Sequence, residues 1–383
     1  MIKRILYTLL IMFPVVASAQ INTDRVMAIG RNALYFEDYV LSIQYFNQVI
    51  NAKPYLSDPY FYRGLAKINL DDFQGAESDC SEAIERNPFV VSAYQVRGLA
   101  RIQQNNFAGA IEDYTKALEF DPENIGVWHN MALCRIRQED YKGAKNDLDK
   151  LIAISPRYTK AYLMRGEVDL KQKDTLAAEK DFGKAIEIDR YDADTWASRA
   201  ILRLQQQRYK DAEADFDHAI RLSTRNSGVY INRALARYHQ NNLRGAMSDY
   251  DIALDIDPNN FIGHYNRGLL RAQVGDDNRA IQDFNFVIEM EPDNMMAIFN
   301  RGLLLDQTGD YKGAIKDYST VINEYPNFLL GYQYRAQARR KIGDVKGADA
   351  DEFKVLKAQL DKQNGVDPNK QTADNTENNK TRK

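Results

Sequence analysis

Arginine and aspartate recur along this chain at one fixed step, and that pairing carries most of its chemical content. Arg63, Arg97, Arg165, Arg199, Arg233, Arg267, Arg301 and Arg335 fall on a single 34-residue period, with Met131 in the one place left over. Asp79, Asp113, Asp147, Asp181, Asp215, Asp249, Asp283, Asp317 and Asp351 keep the same step. Two chemistries suit such a set. A guanidinium forked onto a carboxylate satisfies a partly buried charge on each side. Alternatively the arginines, joined by Arg101, Arg135, Arg203, Arg237 and Arg271, form a basic stripe that recruits acidic ligands. Because the Asp tracks the Arg copy by copy, an internal ladder is favoured: Arg97 with Asp113, Arg199 with Asp215, Arg267 with Asp283. The Met131 copy leaves Asp147 to another donor, and Arg135 is the nearest in sequence.

Other reactive residue types do not cluster. His129, His218, His239 and His264 occupy four different positions of the period and make no metal-ligand spacing. There is no Gly-rich phosphate loop after a strand and no nucleophile elbow. Carboxylates are plentiful, but caps, ladder partners and solvated faces account for them. Cys80 and Cys134 lie a whole repeat apart in slots that are small or apolar elsewhere, so they read as packing residues rather than a disulfide. No catalytic residue, metal or cofactor is expected. An enzyme of unrecognised type is the weakest of the readings.

The elements that position these side chains follow from the repeat itself. In residues 91–124, "VSAYQVRGLARIQQNNFAGAIEDYTKALEFDPEN", Val91 is position 1. Position 4 is aromatic in most copies (Tyr60, Tyr94, Trp128, Tyr162, Trp196, Tyr230, Tyr332), and positions 8 and 20 are small. Small residues on facing helices let backbones approach, which explains glycines such as Gly98 and Gly268 that helix propensity alone disfavours. A turn follows, and Asp72, Asn106, Asp140, Asn242, Asp276, Asp310 and Asp344 stand where an N-cap starts a second helix. That helix carries apolar residues at positions 17, 20, 21, 24, 27 and 28, a 3.6-residue stripe. Proline then marks the next connection, as at Pro88 and Pro122. Each unit is a helical hairpin.

Tyr94, Gly98, Ala110, Tyr114, Ala117 and Pro122, repeated in almost every copy, closely resemble the pattern of the tetratricopeptide repeat family. Ten copies cover about residues 23–362. The resemblance implies an all-α, right-handed superhelical solenoid of about ten 34-residue helix-turn-helix repeats, with a concave inner surface. The departure lies at positions 7 and 11, where the family favours large apolar residues and this chain favours Arg. The ends read as caps: Tyr45 replaces the recurring Asp in the first copy, and Glu352 takes an otherwise mostly apolar position in the last.

In the family, positions 2, 5, 6, 9 and 13 line the inner surface. Carried onto this chain, position 6 gives Asn232, Asn266 and Asn300, and position 13 gives Gln273 and Gln307. Neutral amides can serve an extended peptide backbone without demanding a particular side chain. The same face adds Ile262, Tyr265, Met296, Phe299 and Leu330, a combination suited to docking a protein or peptide. The other reading is that these apolar residues pack between adjacent first helices.

Residues 1–19, "MIKRILYTLLIMFPVVASA", have a basic start, a short apolar run and small residues before Gln20. They read as a secretory signal peptide, too short in its apolar run to span a membrane comfortably. Removing Lys3 and Arg4 with it takes the net charge from −3 to −5, which gives no case for nucleic acid. Residues 20–362 form the solenoid, and 363–383 read as a disordered polar tail. The expectation is an exported, periplasmic or secreted scaffold, without stable membrane insertion, holding a polypeptide in its groove. Its alternative is a structural subunit of an envelope complex working through repeat edges or the convex face.

Overall fold

A computed structural model describes residues 22–363, apart from Thr224 and the Lys362 side chain. The leader and nearly all of the tail expected from the sequence lie outside these residues. Gln363, the first residue assigned to that tail, closes the last helix. Among the described residues there are twenty helices and no strand, two helices to each repeat.

The hairpin is built the same way in each copy. First helices such as α5 (Val91–Gln103) run thirteen residues, and second helices such as α6 (Phe107–Phe120) run fourteen. Between them the chain needs one left-handed residue, filled by Glu37, Asp71, Asn105, Glu139, Lys173, Gln207 and Asn241 and then by Gly275, Gly309 and Gly343. The next residue caps the second helix: Asp72, Asn106 and Asp310 accept from the N–H of Gly75, Gly109 and Gly313 at 2.9, 3.1 and 3.0 Å. Asp276 departs from that expectation. Its side chain makes no cap bond; the Nη1 of Arg279 lies 3.5 Å from the carboxylate instead.

The small residue at position 8 has a partner beyond the one its spacing suggests: a Cβ on Gly64 would lie 3.3 Å from the Ala76 carbonyl at position 20, but 2.9 Å from Cys80 Sγ at position 24. A Cβ on Gly98 would lie 2.7 Å from the Tyr114 ring, and one on Gly166 would lie 2.6 Å from Phe182. The glycine therefore makes room for the ring at position 24. The small residues of position 20, such as Ala110 and Ala178, are buried in their own right. Position 4 ties hairpin to connection: Tyr60, Trp128 and Tyr162 donate to the carbonyls of Pro54, Pro122 and Pro156 at 3.2, 2.8 and 3.1 Å. Cys80 and Cys134 are free and buried.

The hairpins form two compact units, divided between Ile188 and Asp189. In the first, α1 (Thr23–Tyr35) touches α3 (Asp58–Ile68), and α3 touches α5. In the second, α11 (Ala193–Gln205) touches α13 (Ser227–His239), and α17 (Met295–Thr308) touches both α15 (Phe261–Gln273) and α19 (Leu329–Lys341). Successive second helices make no comparable contact, so within each unit the first helices form the tighter, inner side. No described helix is long and apolar enough to cross a membrane.

Candidate functional site

The recurring arginines are consumed internally. Arg97 donates from Nε and Nη2 to Asp113 at 3.0 and 2.6 Å, Arg199 to Asp215 at 2.8 and 2.8 Å, and Arg267 to Asp283 at 3.1 and 2.8 Å. The same fork recurs at Arg63, Arg165, Arg233, Arg301 and Arg335. Position 11 adds a second donor: Arg101, Arg203, Arg237, Arg271 and Arg339 reach the same carboxylates at 2.7–3.0 Å. The free arm of the position-7 Arg crosses to the preceding repeat at position 25, for example Arg233 Nη1 to Asp217 at 2.7 Å and Arg267 Nη1 to Asp251 at 2.9 Å. The ladder therefore joins the two helices of a hairpin and one hairpin to the next. Side chains already forked onto buried carboxylates cannot also serve as an open basic stripe.

Two rungs differ from the rest. Asp283 also lies 2.9 Å from His264 Nδ1. Burial alone would raise its carboxyl, but the hydrogen bonds of His264 and Arg267 hold it below the ordinary range. At Asp147 the fork is missing, because position 7 is Met131. Arg135 bonds one carboxylate oxygen, and the other is buried without a partner. Burial pushes this carboxyl up to about 6 in spite of Arg135. No group of three or more His, Cys, Asp or Glu among the described residues could hold a metal ion.

The inner face of the second unit is different in character. Ile262, Met296 and Leu330, at position 2 of three successive repeats, are 50%, 66% and 50% exposed. Gln273 and Gln307 are exposed, while Asn232, Asn266 and Asn300 are half-buried. Asn300 Nδ2 donates to Tyr265 Oη at 3.1 Å, so one of its amide hydrogens is engaged within the fold rather than free for a peptide. Tyr265 packs edge-on against Phe284, and Phe299 meets Tyr318, Phe328 and Tyr334. These two aromatic residues serve packing between hairpins as well as the surface.

Beside them opens an apolar cavity of about 420 Å³. Met295, Met296 and Phe299 of α17 form one wall, and Val321 of α18 (Tyr311–Glu324) with Tyr325 and Phe328 of the next connection forms the other. Asp293 and Asn294 stand at its rim. Tyr325 and Phe328 escape a reading based on first-helix positions, yet a signal exists. Position 31 is Lys53, Asn87, Asp121, Ser155, Asp189, Ser223, Asp257, Glu291 and Gln359 in the other copies, and aromatic only here. A recess of this size, walled by Met and aromatic side chains, takes a large apolar group.

Models described as tetratricopeptide repeat match residues 125–158, 159–192, 198–261 and 265–327, and one described as TPR repeat matches 98–134. The chain belongs to the tetratricopeptide repeat family. Among solved structures, a tetratricopeptide repeat protein from Parabacteroides merdae is 21% identical, covers 65% of this chain and 98% of its own, and superposes with a TM-score of 0.51. The C-terminal part of a TPR repeat-containing protein from Cytophaga hutchinsonii is 17% identical over 62% of this chain and 97% of its own, also at 0.51. Pseudomonas aeruginosa pilF is 18% identical over 57% and 98%, again at 0.51. At such identities the likeness shows the fold alone. No curated protein matches the chain. Tetratricopeptide repeats in general are protein-interaction modules rather than enzymes.

Proposed function

We propose that this chain is an exported, non-enzymatic scaffold that holds a polypeptide partner against the inner face of its second unit. The observation that carries the reading is the apolar cavity between Met296 and Tyr325, in a repeat whose two neighbours expose Ile262 and Leu330 at the position of Met296. Exposed apolar residues in a row, rimmed by amides, are the surface that a protein partner desolvates with gain. A large apolar side chain of the partner enters the cavity, and Gln273, Gln307, Asn232 and Asn266 line the course of its backbone. Export rests on the N-terminal leader, and sequencing of the native protein should find its first residue at or near Gln20; recovery of intact Met1 from the cytoplasm would remove the envelope from the proposal.

The binding test uses a partner recovered from the native envelope by affinity capture and then purified. Its titration against wild type and a Met296→Asp, Tyr325→Asp double variant should show at least about a tenfold loss, since charged groups would replace two apolar walls. Both side chains are largely exposed, so helicity by circular dichroism should be unchanged. Equal affinities with intact helicity would rule the cavity out.

A further inference from the structure

The last helix, α20 (Val345–Gln363), keeps bare a face that the second helices before it present, within each unit, to the following repeat. Phe353 and Leu356, at positions 25 and 28, are 66% and 54% exposed, and Leu360, in the extra turns by which α20 outlasts second helices such as α18, is 48% exposed. The array itself states what covers such a face. Position 25 meets position 7 of the next first helix: Asn47 with Arg63, Ser81 with Arg97, Asp217 with Arg233, Asp251 with Arg267. Position 28 meets position 3, where Leu254 lies 3.0 Å from the place of a Cβ on Gly263 and Ile322 lies 3.0 Å from one on Gly331. Position 21 meets position 11 with opposite charge: Glu77 with Arg101, Glu213 with Arg237 and, with the signs exchanged, Lys145 with Asp169.

On α20 these three positions are Phe353, Leu356 and Asp349, the last an exposed carboxylate that among the described residues accepts only from the exposed Arg340 of its own hairpin, at 2.8 Å. The polar acceptor that elsewhere meets arginine has become phenylalanine. We infer that α20 docks a helix of a partner protein that carries a small residue, an apolar residue four positions later and a basic residue four after that. Spaced at i, i+4 and i+8, the three lie on one stripe of a helix. The chain's own segments do not fit. In α1 the equivalent residues are Arg25, Ile29 and Ala33. Ile29 suits Phe353, but Arg25 is far larger than anything position 3 holds in the other copies, where the buried Val127 and Val229 are the largest side chains, and Ala33 offers Asp349 no charge. Residues 364–383 contain Val366 as their only large apolar side chain, with Pro368 two residues on. This surface is separate from the cavity at Met296, so either proposal can fail without the other.

The test is a titration of the full chain with two synthetic peptides. One has the sequence of residues 329–341, which already places Gly331, Arg335 and Arg339 at positions 3, 7 and 11. The other is the same peptide with Arg335→Leu. The expected result is preference for the Leu peptide by about tenfold or more. Phe353→Asp in the chain restores the acceptor seen at Asp217 and Asp251 and should invert the preference; circular dichroism verifies that the variant is folded. Failure of the Leu peptide to bind saturably, or a preference that ignores Phe353→Asp, overturns the inference. So does a wild-type dimer in light scattering that Phe353→Asp dissociates, since the occupant is then a second copy.

Discussion

At the scale of single residues, Asp147 shows what the ladder is worth by lacking a rung. Its second oxygen is buried and unpartnered, and burial lifts its carboxyl to about 6 from 3.8. A carboxyl raised in the folded state favours the protonated form there. Its contribution is thus favourable below pH 4, where both states are protonated, and is lost as pH rises through 6. At neutral pH the cost is on the order of 2–3 kcal/mol. Met131→Arg supplies the missing fork, and Thr115 Oγ1, 4.0 Å from Met131 Sδ, stands where other copies keep the acceptor for its third arm, such as Ser81, Asp217 and Asp251. Thermal melts should show Met131→Arg more stable than wild type at pH 7, with the gain shrinking towards pH 4. A gain independent of pH would mean that the unpaired carboxylate is not the cause. The converse change, Arg199→Met, should make Asp215 resemble Asp147. Arg203 still reaches Asp215, so the loss sits at the lower end for a broken buried pair, about 3 kcal/mol at pH 7. A melting midpoint unchanged by Arg199→Met would refute the structural role of the ladder.

At the scale of elements, the hairpin was legible in sequence because its signals are periodic. Apolar stripes, capping residues and prolines all recur on one step, and together they mark twenty helices to within a few residues. What the period cannot resolve is which neighbour a residue meets, since several positions share each period. Gly98 makes room for the Tyr114 ring at position 24, a contact that its spacing from Ala110 at position 20 does not display. Asn300 is bonded to Tyr265, a contact between successive repeats that no spacing within a repeat displays. The cavity was missed for the opposite reason: Tyr325 is a departure from the period, and periodic reasoning passes over single departures. The turn residues give an element-scale prediction. Lys173 holds φ at +64°, a conformation that Gly275, Gly309 and Gly343 supply without a Cβ. Lys173→Gly should raise stability by roughly 0.5–1 kcal/mol, the relief of left-handed strain less the added freedom of the unfolded chain. A lower denaturation midpoint would show that Lys173 contributes something its backbone conformation does not reveal.

At the scale of the whole molecule, the division of labour between the faces of a hairpin is what makes a repeat array a binding protein. Second helices and the ladder supply stability by contacts between neighbours, so the inner face of the first helices is left to vary. In the second unit that variation runs towards exposed apolar residues, Ile262, Met296 and Leu330 in succession, the middle one walling the Tyr325 cavity. The fold does not itself name a partner, and the function rests on that face. The most direct measurement is site-specific photo-crosslinking in the native host, with the reactive side chain placed at Met296 in one strain and at Lys316 in another. Lys316 is exposed on the second helix of the same repeat and so reports on the outer face at equal expression. The account predicts discrete polypeptide adducts from position 296 and none above background from position 316. Adducts from position 316 with none from 296 would contradict it and place the partner on the outer face.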